Sequence, residues 1–203
     1  MLADRSNVTL VEGDILKLDL TPNLAKVLEP SQGYQVVANI PYYITSAIIR
    51  RLLEADLKPQ TMLLTIQVEV AQRMIAQPDD MNLLAVGVQF YGVPRIVQRI
   101  PAGAFYPVPD VDSAVVRIDL SAQPRVNVRD VEAFFKVAKA GFGQKRKQLH
   151  NSLAAGLPLR HDQIMQTLNE VGIDPKRRAE TLTIEEWGRL SDQLTENQGA
   201  EIN

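Results

Sequence analysis

An apolar run, Tyr34 to Ala38 (YQVVA), leads directly into Asn39-Ile40-Pro41-Tyr42, and an amphipathic pattern follows at once. This passage constrains the fold more than any other. The run reads as a buried strand. Pro41 fixes φ and lacks an N–H, so it stiffens the turn. Beyond it, Ile48, Ile49, Leu52 and Leu53 recur at helical spacing, and Thr45 or Ser46 can cap that helix. A strand that turns tightly into a helix is the repeating half of an α/β sheet.

The rest of the first half repeats this alternation. Residues 8–11 (VTLV) predict a short strand, Glu12 to Leu16 a turn, and Leu24 to Leu28 a short helix ended near Pro30. Met62 to Ile66 predicts a strand, and Glu69 to Ala76 a helix stopped by Pro78. Leu83 to Phe90 is a strand or a buried helix, which periodicity alone does not decide. Ile96 to Ile100 and Ser113 to Ile118 read as an antiparallel pair at a sheet edge. The expectation is an open α/β sheet with its ligands at the carboxyl ends of the strands, where Asp14 and Asn39 both fall. From Pro124 the texture becomes helical: Val131 to Phe142, Arg146 to Leu153, Gln163 to Val171 and Ile184 to Leu194, with fraying expected after Asn197. Ser121-Ala122-Gln123-Pro124 reads as a linker. The expected domains are therefore 1–122, α/β, and 123–203, small and all-helical.

Composition narrows the chemistry. Cysteine is absent, which excludes disulfides and thiolate zinc sites, and His150 and His161 alone do not make a multi-histidine metal centre. No metal is expected. No stretch approaches the roughly 20 apolar residues of a membrane span, and the first residues lack a signal-peptide pattern, so a cytoplasmic protein is expected. Net charge is −2, yet six Lys/Arg and no Asp or Glu lie between Ala133 and Arg160. A local basic surface of that kind suits a polyanion, although a solvated basic face is the plainer alternative.

The turn at residues 39–42 suits a specific chemistry, although a plain strand-ending turn, for which Asn and Pro are ordinary residues, is the alternative for the motif by itself. The Asn39 side-chain carbonyl and the next backbone carbonyl, that of Ile40, can each accept a hydrogen bond from an exocyclic –NH₂ of a nucleobase. Those bonds favour sp³ character at the nitrogen, so that its lone pair can face an electrophilic methyl group. Tyr42 offers a flat face for the base. Asp14 can accept from a purine amino group while Ile15 packs on the ring; a plain turn aspartate is the alternative. In Phe105-Tyr106-Pro107-Val108-Pro109, two prolines hold an extended backbone that projects Phe105 as a second wall. Lys145, Arg146 and Lys147 form a basic cluster at a helix start beside Phe142.

Taken together, GDIL at 13–16, VVANIPYYI at 36–44, QVEVAQRM at 67–74, FYPVPDVDSAVVRI at 105–118, GFGQKRKQLHNSL at 141–153 and RAETLTIEEWGRL at 178–190 resemble the ribosomal RNA adenine dimethyltransferases. That family includes the small-subunit rRNA enzyme of bacteria and the erythromycin-resistance methyltransferases; the last two segments favour the former. The resemblance implies a Rossmann-like S-adenosylmethionine-dependent methyltransferase sheet with a helical rRNA-binding domain. It also implies N6,N6-dimethylation of adenosines in small-subunit rRNA during ribosome biogenesis. Asp14 and Ile15 would contact the adenine of S-adenosylmethionine, and Asn39 would hold the target amine near the cofactor. Tyr42 and Phe105 would sandwich the flipped base, in a pocket that Ile40 and Pro41 help to shape, and Lys145, Arg146 and Lys147 would contact rRNA. The partner would be the immature small ribosomal subunit, met by a monomer.

The family's first strand, Gly-rich loop and ribose-binding acidic residue find no match, so the sheet is read as N-terminally truncated. Asp80-Met81-Asn82 stands where the family has Tyr-Gly-Arg. A catalytically inactive RNA-binding or ribosome-assembly module remains the alternative. A DNA amino-methyltransferase would share the 39–42 turn but not the segments at 105–118 and 141–153.

Overall fold

The computed structural model describes residues 6–28 and 33–200, with side chains to residue 197. The chain forms two compact units: residues 1–68 with 95–122, and residues 69–94 with 123–203. The passage from one to the other between Ala122 and Gln123 lies in the linker segment, while residues 69–94 pack with the later helices.

In the first unit the strands are β1 (Gln35–Asn39), β2 (Thr61–Gln67), β3 (Gly92–Ile100, entering from the second unit) and β4 (Ser113–Leu120), in the order β1-β2-β4-β3. β1 and β2 are parallel, with Asn39 opposite Thr65; β2 and β4 are antiparallel, with Gln67 opposite Ser113. Period-2 alternation sets the burial. Met62, Leu64 and Ile66 of β2 and Ala114, Val116 and Ile118 of β4 are buried, and their neighbours face outward. The helix following the 39–42 turn (Thr45–Glu54) buries the expected face of Ile48, Ile49, Leu52 and Leu53.

Several expectations need correction here. β1 is an edge strand, and none of its five residues is buried; Val37 is 76% exposed, on the outward sheet face beside its partner Leu63. Residues 8–11 form no strand, and Leu10 is 82% exposed. An isolated extended segment has no ladder to satisfy its backbone, so the β-propensity of VTLV is not realised. The first helix is Leu20–Leu24, four residues earlier than expected, because Asp19 caps it by accepting the Thr21 N–H. Pro30 lies outside the described residues. Neither Thr45 nor Ser46 caps the next helix: a 3₁₀ turn, Tyr42–Ile44, runs straight into it, and the Thr45 hydroxyl donates back to the Pro41 carbonyl (3.3 Å).

The second unit opens with two helices, Val68–Met74, whose first residue belongs to the first unit, and Leu83–Tyr91; the latter settles the 83–90 ambiguity. Asn82 caps Leu83–Tyr91 through the Ala85 N–H (3.1 Å). The buried Gln89 amide donates to the Met74 and Ala76 carbonyls (3.0 and 2.8 Å), satisfying the end of the preceding helix. Met81 sits in the core, so Asp80-Met81-Asn82 has structural work of its own. Helices Val131–Phe142, Leu149–Gly156, His161–Glu170 and Ile184–Ala200 complete the unit, the last extending beyond Asn197. Their apolar faces close on Trp187, Phe134, Leu149, Leu153, Ile164 and Leu168, and Phe134 stacks on Phe90 at 4.5 Å. The helix expected from Arg146 begins instead at Leu149, which leaves the basic residues in a turn.

Candidate functional site

The sheet register brings the functional segments to one end. Asn39 is the last residue of β1, and the Ile40 N–H extends the ladder by bonding the Thr65 carbonyl (3.2 Å). Since β4 runs antiparallel to β2, its first residues lie at that same carboxyl end, two ladder positions past the Asn39–Thr65–Val115 row. The turn after β1 and the loop before β4 therefore converge, and a side-chain bond joins them: Tyr42 Oη lies 2.7 Å from Ser113 Oγ. Ser113 is fully buried and Tyr42 half-buried.

The Asn39 amide is exposed and has no hydrogen-bond partner among the described residues, so its carbonyl is available to a ligand. Pro41's carbonyl already accepts from the Ile44 N–H and the Thr45 hydroxyl. Ile40's carbonyl accepts nothing among the described residues and is the one left to act with Asn39. Ile40 itself is buried and anchors the turn. Phe105, half-buried, follows a 3₁₀ turn (Ala102–Ala104) that two bonds close: Phe105 N–H to the Ala102 carbonyl (3.1 Å), and Ala102 N–H to Asp112 Oδ1 (2.9 Å). The Asp112 carbonyl accepts the Val68 N–H (3.0 Å) at the end of β2.

No described contact joins Asp14 or Ile15 to this cluster. Asp14 Oδ1 accepts the Leu16 N–H (2.9 Å), and Oδ2 lies 3.8 Å from the Lys17 ammonium. That is turn chemistry, with one oxygen only loosely engaged. Arg51 donates to the Leu18 carbonyl and ties the segment to the Thr45–Glu54 helix. A groove of about 520 Å³ in this unit is lined by Leu16, Asp19, Arg51 and Asp56 among others, and by none of the candidate site residues.

Lys145, Arg146 and Lys147 are in the second unit, exposed on the Phe142–Leu149 turn, and none pairs with a carboxylate among the described residues. Arg160, by contrast, bridges Asp162 (3.1 Å), just beyond the acid-free stretch. Phe142 is not an outward aromatic: its ring packs 5.4 Å from that of Trp187. Gly141 is required by packing, since a Cβ there would come within 2.3 Å of the Trp187 ring. The 178–190 segment also has a structural role. Thr183 and Glu186 form a capping box (Thr183 N–H to Oε2, 2.8 Å; Glu186 N–H to Oγ1, 3.1 Å), and Arg177 holds Glu186 at 2.6 Å. Burial would raise the Glu186 carboxyl, but the bonds from Arg177 and the Thr183 N–H outweigh it and hold it below its ordinary value.

Fold and site together describe an α/β sheet of the methyltransferase class, with a turn at a strand end whose Asn39 side-chain and Ile40 backbone carbonyls have no partner among the described residues. The family described as "Ribosomal RNA adenine dimethylase" matches residues 1–196, and the chain belongs to it. Ribosomal RNA small subunit methyltransferase A of Dehalococcoides mccartyi is 46% identical over 191 residues, covering 94% of this chain. The namesake of Moorella thermoacetica is 42% identical over 199 residues, covering 95% of this chain and 69% of its own length. The chain spans 64% of the length of the D. mccartyi relative. Among solved structures, the 23S rRNA methyltransferase ErmE superposes with a TM-score of 0.65 at 25% identity, over 96% of this chain and 75% of the other. A dimethyladenosine transferase from Plasmodium falciparum superposes at 0.73 with 20% identity, over 98% and 75%, and shows the fold alone. Among the described residues no helix is long and apolar enough to cross a membrane.

Proposed function

We propose that this chain carries out N6,N6-dimethylation of adenosines in small-subunit rRNA, with S-adenosylmethionine as donor. The observation that carries the reading is the pairing of family membership with a free Asn39 amide beside the Tyr42–Ser113 contact at the strand end. S-adenosylmethionine supplies a methyl already activated on a sulfonium. The chain's own task is then orientation of the amine. Asn39 Oδ1 and the Ile40 carbonyl accept the two N–H bonds of the target, Tyr42 and Phe105 hold the base between them, and Pro41 keeps the turn rigid. After the first transfer one N–H remains, and either carbonyl can still accept it.

In this reading Asp14 and Ile15 would meet the adenine of S-adenosylmethionine, and Asn39 would stand beside its methyl. The second reading is an RNA-binding module without turnover, favoured by the exposed basic turn of Lys145, Arg146 and Lys147 in the helical unit. Lys145, Arg146 and Lys147 would meet rRNA phosphates in the immature small subunit, with the protein acting as a cytoplasmic monomer.

Methyl transfer to small-subunit rRNA, measured with excess S-adenosylmethionine, tests this. Asn39→Ala should lower the rate by about 10²–10³ while rRNA binding stays unchanged. Normal turnover in that variant would end the assignment. Normal rRNA binding with no transfer by the unaltered chain would leave the second reading standing.

A further inference from the structure

We infer that Asp112 and Ser113, adjacent at the start of β4, are positioning residues that fix where the two aromatic walls, Tyr42 and Phe105, stand. The inference rests on the reading of the 39–42 turn as a base pocket. Ser113 is fully buried, and its register opposite Gln67 ties it to the sheet rather than to a loop. A buried hydroxyl needs a partner, and the Tyr42 phenol at 2.7 Å is the one it has. A tyrosine ring has two rotatable angles, so anchoring its far end fixes the plane of its face. The bond also occupies the phenol. Tyr42 therefore presents its ring face, and its hydroxyl does not read base edges.

Asp112 does the corresponding work for the other wall. Its side chain accepts the Ala102 N–H (2.9 Å), closing the turn from which Phe105 emerges. Its own carbonyl is held by the Val68 N–H (3.0 Å) at the end of β2. Asp112 lies just before the strand and Ser113 is its first residue, and their separate side-chain bonds let one dipeptide reach both segments. The positions of residues 42 and 105 are thus set by a single rigid point of the sheet.

The test uses the full chain and a short single-stranded RNA carrying one 2-aminopurine, whose emission is quenched when that base stacks. Wild type should quench it, and Tyr42→Ala or Phe105→Ala should abolish the effect. Ser113→Ala should weaken half-saturation about fivefold, the scale of one lost hydrogen bond. Asp112→Ala should do the same, while Asp112→Asn, whose side-chain carbonyl can still accept from Ala102, should restore wild-type behaviour. In a Tyr42→Phe background, which lacks the phenol, Ser113→Ala should cost nothing further. Wild-type quenching in Ser113→Ala, or an additive effect in the Tyr42→Phe background, would overturn the positioning role. Full quenching in Tyr42→Ala and Phe105→Ala would instead overturn the base-pocket reading.

Discussion

The two units solve backbone satisfaction differently. In the second, every helix closes its own hydrogen bonds, and a single apolar cluster, centred on Trp187 and Phe134, gathers their faces. In the first, each strand depends on a neighbour. Where one is present, as for β2 between β1 and β4, alternate residues are wholly buried. Where none is described, as around residues 8–11, Leu10 and Val11 stand in solvent. Helical structure is thus a local outcome of sequence here, and strand structure is a collective one.

Substitutions at the two centres should break this symmetry most visibly. Asn39→Ala has the largest expected effect, on rate alone. Next is Trp187→Ala, which should destabilise the second unit by about 3–5 kcal/mol. The Trp187 indole N–H has no partner among the described residues, so that loss is one of packing. Val37→Ala, at an exposed strand position, should change stability by less than about 0.5 kcal/mol. Chemical denaturation of both variants checks the contrast, and equal losses would contradict it.

The basic turn probes the second unit's surface. Lys145, Arg146 and Lys147 changed together to Ala should flatten the log–log salt dependence of rRNA binding by about two units. Titration from low to high salt reads this directly, and an unchanged slope would make the turn a solvated surface. A smaller effect than that of Trp187→Ala is expected at Glu186. Its depressed value means that it stabilises the fold above the ordinary glutamate range, and that this stability is lost as pH falls through the lower folded value. Glu186→Gln should cost roughly 1–2 kcal/mol at neutral pH, between the values of exposed and buried pairs. The wild type and the variant should converge only below the ordinary glutamate range, once the folded carboxyl is protonated. A cost independent of pH would place its role in packing.

The same contrast explains what could be read in advance. Ile48, Ile49, Leu52 and Leu53, and the four long helical segments after Val131, announce themselves by apolar spacing, because a helix face is written within one stretch of chain. The turn at 39–42 is legible as a strand-ending turn because Asn and Pro are ordinary turn residues; a role for it comes only from its company with the segments at 13–16, 105–118 and 141–153. Ser113 as the partner of Tyr42 was not legible: the bond spans 71 positions and depends on β4 pairing antiparallel with β2. The helical assignment of Leu83 to Tyr91 hinged on Asn82 as cap and on Gln89 reaching the Met74 carbonyl, a tertiary contact that periodicity does not encode. Arg160's partner, Asp162, lay just past the stretch that had looked free of acids.

Gly141 and Trp187 have a consequence for how this chain can vary. The indole occupies the space where a side chain at 141 would begin, so the two positions share one fixed volume. A larger residue at 141 becomes tolerable only alongside a smaller one at 187, and either change made first passes through a clash or a void. The two sites should therefore drift together or stay still, although they lie far apart in the sequence. The exposed turn that follows Gly141 inherits that restraint: its lysines and arginine are free of packing, but the backbone that presents them is held by a tryptophan from the last helix.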